Sequence, residues 1–352
     1  MSTARERRGP PADGWESVRE GEPFDAILVV SFGGPEGMDD VLPFLENVVR
    51  GRGVPRERIA EVARHYERFG GVSPLNAQNR ALIEALRPAL ARDGIDLPIV
   101  LGNRNWHPFL EDALRELAAR GSRRVLAFCT SGFSCYSGCR QYREDIWRAQ
   151  QAVGPTAPEV EKTRLFGSHP GFVAAQAERV RDALADVPEK RRAGAVALLS
   201  AHSIPAAMAR ASRYETELAE SARLVAHAAG VGRHEVVYQS RSGPPDVPWL
   251  EPDVSERIRG LAAEGVQDVV VVPLGFASDH LEVLWDLDEE ACSAAAEVGI
   301  GFVRAASVGA HPRFVAAASD LIRERIEGED QSVGRCPAGC CLPGTGARSP
   351  WE

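Results

Sequence analysis

Lysine is nearly missing from this 352-residue chain: Lys162 and Lys190 are the only two among 41 lysines and arginines. Acidic residues are in excess and the net charge is -9, so the basic footprint that nucleic-acid backbones require is absent. Long apolar runs are absent too, and no stretch approaches the length of a membrane span. Residues 1–23 hold no apolar segment that could act as a signal peptide. These absences lead us to expect a cytoplasmic chain with no integral membrane segment and no nucleic-acid partner. The glycine-bearing turn SFGGPEG at 31–37 has neither the G-x-G-x-x-G spacing nor a Walker lysine, which weakens a nucleotide-phosphate reading. Seven cysteines in a cytoplasmic protein do not suggest a disulfide framework, and metal ligation or plain burial remain.

What is present centres on residues 266–290, VQDVVVVPLGFASDHLEVLWDLDEE. Val269 to Val272 form an uninterrupted β-branched run of strand length, which suits a parallel strand buried on both faces. The run stops at a turn that delivers Asp279, His280 and Glu282 to the start of a helix. Ligands of open parallel sheets bind beyond the carboxyl ends of the strands, so this group is expected at the mouth of a cleft. Glu282, Asp286 and Glu290 fall at i, i+4 and i+8, an acidic row able to collect and pass on a cation. The same letters also permit a plain capping box, with Asp279 as N-cap and Glu282 as its partner. A second stretch tips the balance: Val196 to Leu199 predict another buried strand, and SAHSIP after it places His202 at a carboxyl strand end. A histidine and a carboxylate at matching strand ends of one domain make a site.

The chain repeats itself. Strand, arginine, tryptophan, proline, a helix ending Leu-Ala-Ala-x-Gly and a buried strand follow one another in 99–128, with Arg104, Trp106 and Pro108, and again in 236–272, with Arg241, Trp249 and Pro252. ILVVSFGGP at 27–35 pairs with VALLSAHSIP at 196–205 in the same way. The fold class expected is α/β, as two Rossmann-like lobes with parallel sheets and a cleft between them. The divisions are a polar segment at 1–23, a first lobe at 24–151, a linker at 152–162, a second lobe with the metal site at 163–327 and a cysteine-bearing tail at 328–352. Helices are expected over 39–50, 76–92, 251–263 and 313–326.

SFGGPEG, RFGGVSPLN, GNRNWHP, SAHSIP, YQSRSGPPDVPWLEPDV and GFASDHLEVLWDLD together resemble the ferrochelatase family, and within it the actinobacterial enzymes that insert iron into coproporphyrin. The resemblance spans about residues 24–325. It implies a class II chelatase-like fold, a porphyrin cleft and insertion of Fe(II) as substrate without ATP; a monomer is expected. By the same resemblance His202 is the active-site histidine, Glu282 its partner carboxylate, and Asp286 and Glu290 the acidic row. Ser73 and Tyr142 fall where family members contact the porphyrin. Phe32 stands where some relatives carry an iron-ligating tyrosine; without an oxygen it can only touch the macrocycle. The residue types fit the chemistry independently: metalation removes two pyrrole protons, which calls for a base neutral near pH 7 beside a carboxylate that stays anionic. Arg50, Arg52, Tyr66 and Ser73 would suit the four propionates of coproporphyrin.

Cys336, Cys340 and Cys341 crowd the tail, where the composition turns to glycine, proline and polar residues. Actinobacterial relatives carry a 2Fe-2S cluster, and the resemblance implies Cys139 as the fourth ligand, with Cys135 an alternative. A four-thiolate zinc site uses the same residues. Cys129 and Cys292 read as buried small hydrophobes. Two further readings stay open: a chelatase preferring protoporphyrin or another divalent metal such as cobalt, and a non-catalytic tetrapyrrole carrier or iron-sulfur redox sensor.

Overall fold

The computed structural model describes residues 23–51, 53–243, 246–328 and 339–344. The expected strands β1 (Ala26–Ser31), β2 (Ile99–Asn103) and β3 (Arg124–Cys129), joined by an unexpected β4 (Glu159–Lys162), form a parallel sheet in the order β2-β1-β3-β4. A second parallel sheet of β5 (Val196–His202), β6 (Arg233–Gln239), β7 (Asp268–Val272) and β8 (Gly301–Arg304) runs β6-β5-β7-β8. The two orders are identical, as the internal repeat requires. Every residue of β1, β3 and β7 is buried, which explains their unbroken apolar text.

Helices cover the sheets: α1 (Met38–Val48), α2 (Arg56–Arg68), α3 (Leu75–Arg92), α4 (Leu110–Ala119) and α5 (Gln141–Val153) belong to the first half. In the second half are α6 (Pro170–Ala185), α7 (Glu189–Arg192), α8 (Ala206–Arg210), α9 (Tyr214–Ala229), α10 (Val254–Ala263), α11 (Leu281–Val283), α12 (Cys292–Val298) and α13 (Pro312–Ile326). Both halves end their second strand alike: Asn103 N–H donates to Pro108 O at 2.7 Å, and Tyr238 N–H to Pro252 O at 2.9 Å. The Asp253 carboxylate then caps α10, accepting from Ser255 and Glu256 N–H at 2.8 and 3.2 Å, so that helix starts three residues later than the sequence suggests.

The stretch expected as a linker, 152–162, is largely structured: α5 runs to Val153 and 159–162 are strand β4. Alternating apolar and charged residues in a four-residue edge strand give little signal against the neighbouring prolines. A further repeat lies in GSHPGFVAA (167–175) and GAHPRFVAA (309–317), which open α6 and α13. In each, the histidine ring accepts the N–H two residues on, at 3.1 Å for Gly171 and 3.3 Å for Arg313, and proline occupies the first turn. These two helices trade places. Helix α6 packs on α9, β7 and β8 of the second lobe, α13 packs on α3 and β3 of the first, and the two pack on each other. One hydrophobic core therefore runs through both lobes, including Phe128 and Phe166 with Phe172 and Phe314. A small separate core of Val41, Phe44, Leu45, Tyr66 and Leu281 joins the α1–α2 pair to the second lobe.

Candidate active site

His202 is the last residue of β5, in register with Gln239 at the end of β6. The turn after it is tied down by Ser203 N–H to Gln239 O at 2.7 Å, Ser203 Oγ to Leu250 O at 2.8 Å, and the buried Tyr214 hydroxyl to His202 O at 3.0 Å. His202 Nδ1 lies 2.5 Å from the Ser203 carbonyl. A carbonyl only accepts, so Nδ1 carries the hydrogen that engages it and Nε2 is left facing outward. That nitrogen faces Glu282 Oε2 at 3.8 Å, and His280 Nδ1 faces the same oxygen at 4.0 Å. Neither distance is a hydrogen bond. The opposed lone pairs leave room for a cation or a proton in transit. Burial pushes the His280 imidazolium down despite the Glu282 charge beside it, which keeps this ring neutral.

Asp279 is not the N-cap that the capping-box reading makes it: His280 holds that position with no side-chain bond, and the Asp279 carboxylate accepts from Arg304 at 3.1 Å instead. The helix also departs from α geometry. Leu284–Ala291 is a π-helix, a wider turn found frequently at functional sites. An i+4 step overshoots one α turn and falls short of one π turn, so mixing the two keeps Glu282, Asp286 and Glu290 closer to one line than a pure α-helix would. Asp286 accepts from Ser240 Oγ and from Gln239 Nε2 at 3.3 Å, yet burial, reinforced by the Glu282 and Glu290 charges, raises its carboxyl to about 7. Glu290 accepts from the Trp285 indole at 2.8 Å, and that indole stacks on His65 of α2 at 3.8 Å between centroids. Arg68 of α2 pairs with Glu289 at 2.6 Å, a second clasp across the lobes.

The first lobe supplies an aromatic wall. Phe32, 37% exposed, meets Phe44 edge-on at 6.3 Å, and Phe44 meets Tyr66 and Trp106, each at 6.1 Å. The Tyr66 hydroxyl feels the Glu282 charge, so this wall reaches the histidine–carboxylate pair. Ser73 is buried against the glycine turn, and a side chain at Gly34 would strike its Cβ at 2.7 Å. Tyr142 is not on the open wall: it is 6% exposed in the core, with the Arg104 guanidinium 4.3 Å over its ring. Arg50 lies exposed in the turn after α1, while Arg52 falls outside the described residues. Phe44, Tyr214, Gln239 and Trp285 also join the site; each looks like core or turn in the sequence, and only the fold aims it.

The cysteines divide. A second π-helix, Tyr136–Arg140, follows β3, and Cys139 on it meets Cys341 of the tail. The Cys341 thiol hydrogen-bonds Cys139 and Cys340, which drives its pKa far up. Arg143 reaches Cys340 Sγ at 3.3 Å and Arg140 the Cys340 carbonyl at 3.2 Å. Three of the four expected cluster ligands thus converge beside two guanidiniums, a donor set that suits a thiolate-bound cluster carrying net negative charge. Cys336 lies outside the described residues. Among the described residues no ready-made group of three metal ligands is present, so the set would need its fourth thiol and some closure to bind. Cys135 instead accepts from Gly138 N–H at 3.1 Å as the cap of that π-helix. Cys129 is buried and its thiol is pushed up to about 11 by burial. Cys292, expected to be buried, is exposed, because it opens α12 on the side away from the core contacts of Ala291, Ala294 and Ala295.

No helix among the described residues is long and apolar enough to cross a membrane. The fold resembles that of SirB from Bacillus subtilis solved with Fe3+, with a TM-score of 0.54 at 15% identity over 86% of this chain and 97% of that one. A protein called ferrochelatase from Rhodopirellula baltica is 53% identical over 330 residues, 91% of this chain and 94% of its own. Coproporphyrin III ferrochelatases of Mycolicibacterium smegmatis and Nocardia farcinica are 52% and 49% identical, covering 87% and 91% of this chain and 91% and 97% of theirs. The sequence profile described as Ferrochelatase matches residues 24–326, the span that holds both sheets, the aromatic wall and the histidine–carboxylate pair, and the chain belongs to the ferrochelatase family.

Proposed function

We propose that this protein inserts Fe(II) into coproporphyrin III to give coproheme, with His202 as base and metal ligand and Glu282 as the partner carboxylate. The observation that carries the reading is the 3.8 Å approach of His202 Nε2 to Glu282, with Nδ1 already engaged by a carbonyl. The porphyrin would lie against Phe32 and the aromatics behind it. Two pyrrole N–H bonds must break as the four ring nitrogens bind iron. The first proton goes to the Nε2 lone pair, and Asp286, with its carboxyl raised to about 7, can hold the second. The Glu282 carboxylate receives the ferrous ion, and an imidazole–carboxylate pair binds Fe(II) without trapping it. The choice of coproporphyrin is supported by the names of relatives at about 50% identity.

We further propose that Cys139, Cys340 and Cys341, with Cys336, hold a 2Fe-2S cluster. The convergence of three thiols beside Arg140 and Arg143 supports it, and the thiol that meets Cys341 is Cys139 rather than Cys135. Such a cluster would cross-link the tail to the first lobe.

The test is anaerobic purification followed by absorbance while Fe(II) is offered with coproporphyrin III and, separately, protoporphyrin IX. Faster metalation of coproporphyrin supports the reading, and faster metalation of protoporphyrin reverses the substrate. Tight binding of both rings without metalation leaves a carrier. Visible charge-transfer bands before substrate is added support the cluster; a colourless protein containing zinc contradicts it.

A further inference from the structure

We infer that Arg304 is a positioning residue for metal insertion: from the end of β8 it braces both ends of the segment that carries Glu282. The inference rests on the role proposed above for Glu282. Arg304 Nη1 donates to Asp279 Oδ1 at 3.1 Å and Arg304 Nε to Asp288 Oδ1 at 2.5 Å. Between those two aspartates lie His280, Glu282, Asp286 and the change from α to π geometry. One planar fork thus fixes where the loop after β7 enters the helix and a point within the π turn.

Glu282 needs this. Its side chain is 56% exposed, and its histidine neighbours at 3.8 and 4.0 Å are too distant to hold it by hydrogen bonds. The position of its carboxylate therefore follows its backbone. A π segment is uncommon, and without an outside anchor it can relax toward α geometry and rotate the carboxylate row away from His202. A third anchor comes from the other lobe, where the Gln78 side-chain oxygen accepts from Asp279 N–H at 3.0 Å.

The first lobe repeats the device independently. There Arg104, which follows β2, reaches the Ser137 carbonyl at 3.4 Å and Asp145 Oδ2 at 2.6 Å, spanning the π-helix that carries Cys139. In both lobes an arginine from another strand end, β8 beside β7 here and β2 two strands from β3 there, reaches the π turn after the third strand. A lysine could reach one carboxylate of the Arg304 pair but not both.

The experiment compares Arg304→Met, Arg304→Lys, Asp288→Asn and Glu282→Gln for thermal unfolding, coproporphyrin III affinity by fluorescence quenching, and kcat and KM for ferrous iron. A positioning role predicts that Arg304→Met loses about tenfold to a hundredfold in kcat/KM for iron while porphyrin affinity changes less than about twofold. Arg304→Lys should recover part of that loss. Unchanged iron kinetics in folded Arg304→Met overturn the inference, and so does a fall in porphyrin affinity as large as the fall in kcat. Should Arg304→Met fail to fold, Asp288→Asn, at the more exposed end of the brace, is judged by the same criteria. Wild-type turnover by Glu282→Gln would remove the role of Glu282 and the brace together. An inactive Glu282→Gln beside unaffected Arg304 variants removes the brace alone.

Discussion

The two segments that follow the third strand of each sheet have the same backbone and opposite chemistry. In the first lobe the π-helix Tyr136–Arg140 presents Cys139, with Arg140 and Arg143 turned toward Cys340. In the second, the π-helix Leu284–Ala291 follows Glu282, which faces His202, and presents Asp286 beside Ser240. One is rich in thiols and cations, the other in carboxylates and imidazoles. A duplicated α/β unit therefore offers one delivery device twice: a strand end, a glycine turn and a widened helical turn held by an arginine. What the device delivers depends on a handful of side chains. The thiol set suits a resident metal group bound tightly, whereas the imidazole–carboxylate set suits an ion that must pass through.

The comparison is broken most severely at the second-lobe site. His202→Ala should lower the rate of ferrous insertion by about a hundredfold or more, within the range for loss of a general base, while leaving the unfolding temperature within a few degrees. Insertion assays and calorimetry on one preparation check this. Next, Cys139→Ser should abolish the visible bands of the anaerobic protein, and Cys135→Ser should keep them. Retained bands in the first variant, or lost bands in the second, would move the cluster ligand to Cys135.

A smaller effect is expected from Asp286. Its carboxyl is raised to about 7 in the fold, so the folded chain holds this proton more tightly than the unfolded chain does. Stability from this group is fully present at acid pH and falls as pH rises from the ordinary carboxyl range through about 7. Asp286→Asn removes that fall, so urea titrations should find it roughly 2 kcal/mol more stable than wild type at pH 8, after allowance for screening, with a smaller gain at pH 5. The smallest perturbation is chemical labelling. A thiol reagent should modify the exposed Cys292 within minutes under native conditions and leave Cys129 untouched, because burial holds that thiol at about 11.

Much of this architecture is legible in the amino-acid order. Uniform β-branched runs such as Val269 to Val272 reveal buried parallel strands, and their abrupt ends locate His202 and Glu282. The repeated Trp and Pro positions reveal the duplication. The π turns are not legible, because one extra residue per turn barely disturbs the spacing of Leu281, Val283 and Leu287, which are buried, while Leu284 is only partly so. Nor is the Arg304 brace, which depends on β8 lying beside β7 and not on any local pattern. The clasp of His65 on Trp285 joins residues 220 positions apart, and an aromatic at either place looks like ordinary core. Tyr142, which the resemblance puts at a porphyrin contact, is covered by a cation from the end of another strand, a neighbour that no local pattern reveals.

The most direct test of the histidine–carboxylate pair is single-turnover insertion of Fe(II) into coproporphyrin III already bound to the protein, comparing wild type with Glu282→Gln under anaerobic conditions. Glu282→Gln should bind the porphyrin as wild type does and leave it as free base over the time in which wild type completes the reaction. Metalation at the wild-type rate by the glutamine variant would contradict the assignment and move the metal-receiving role elsewhere in the cleft.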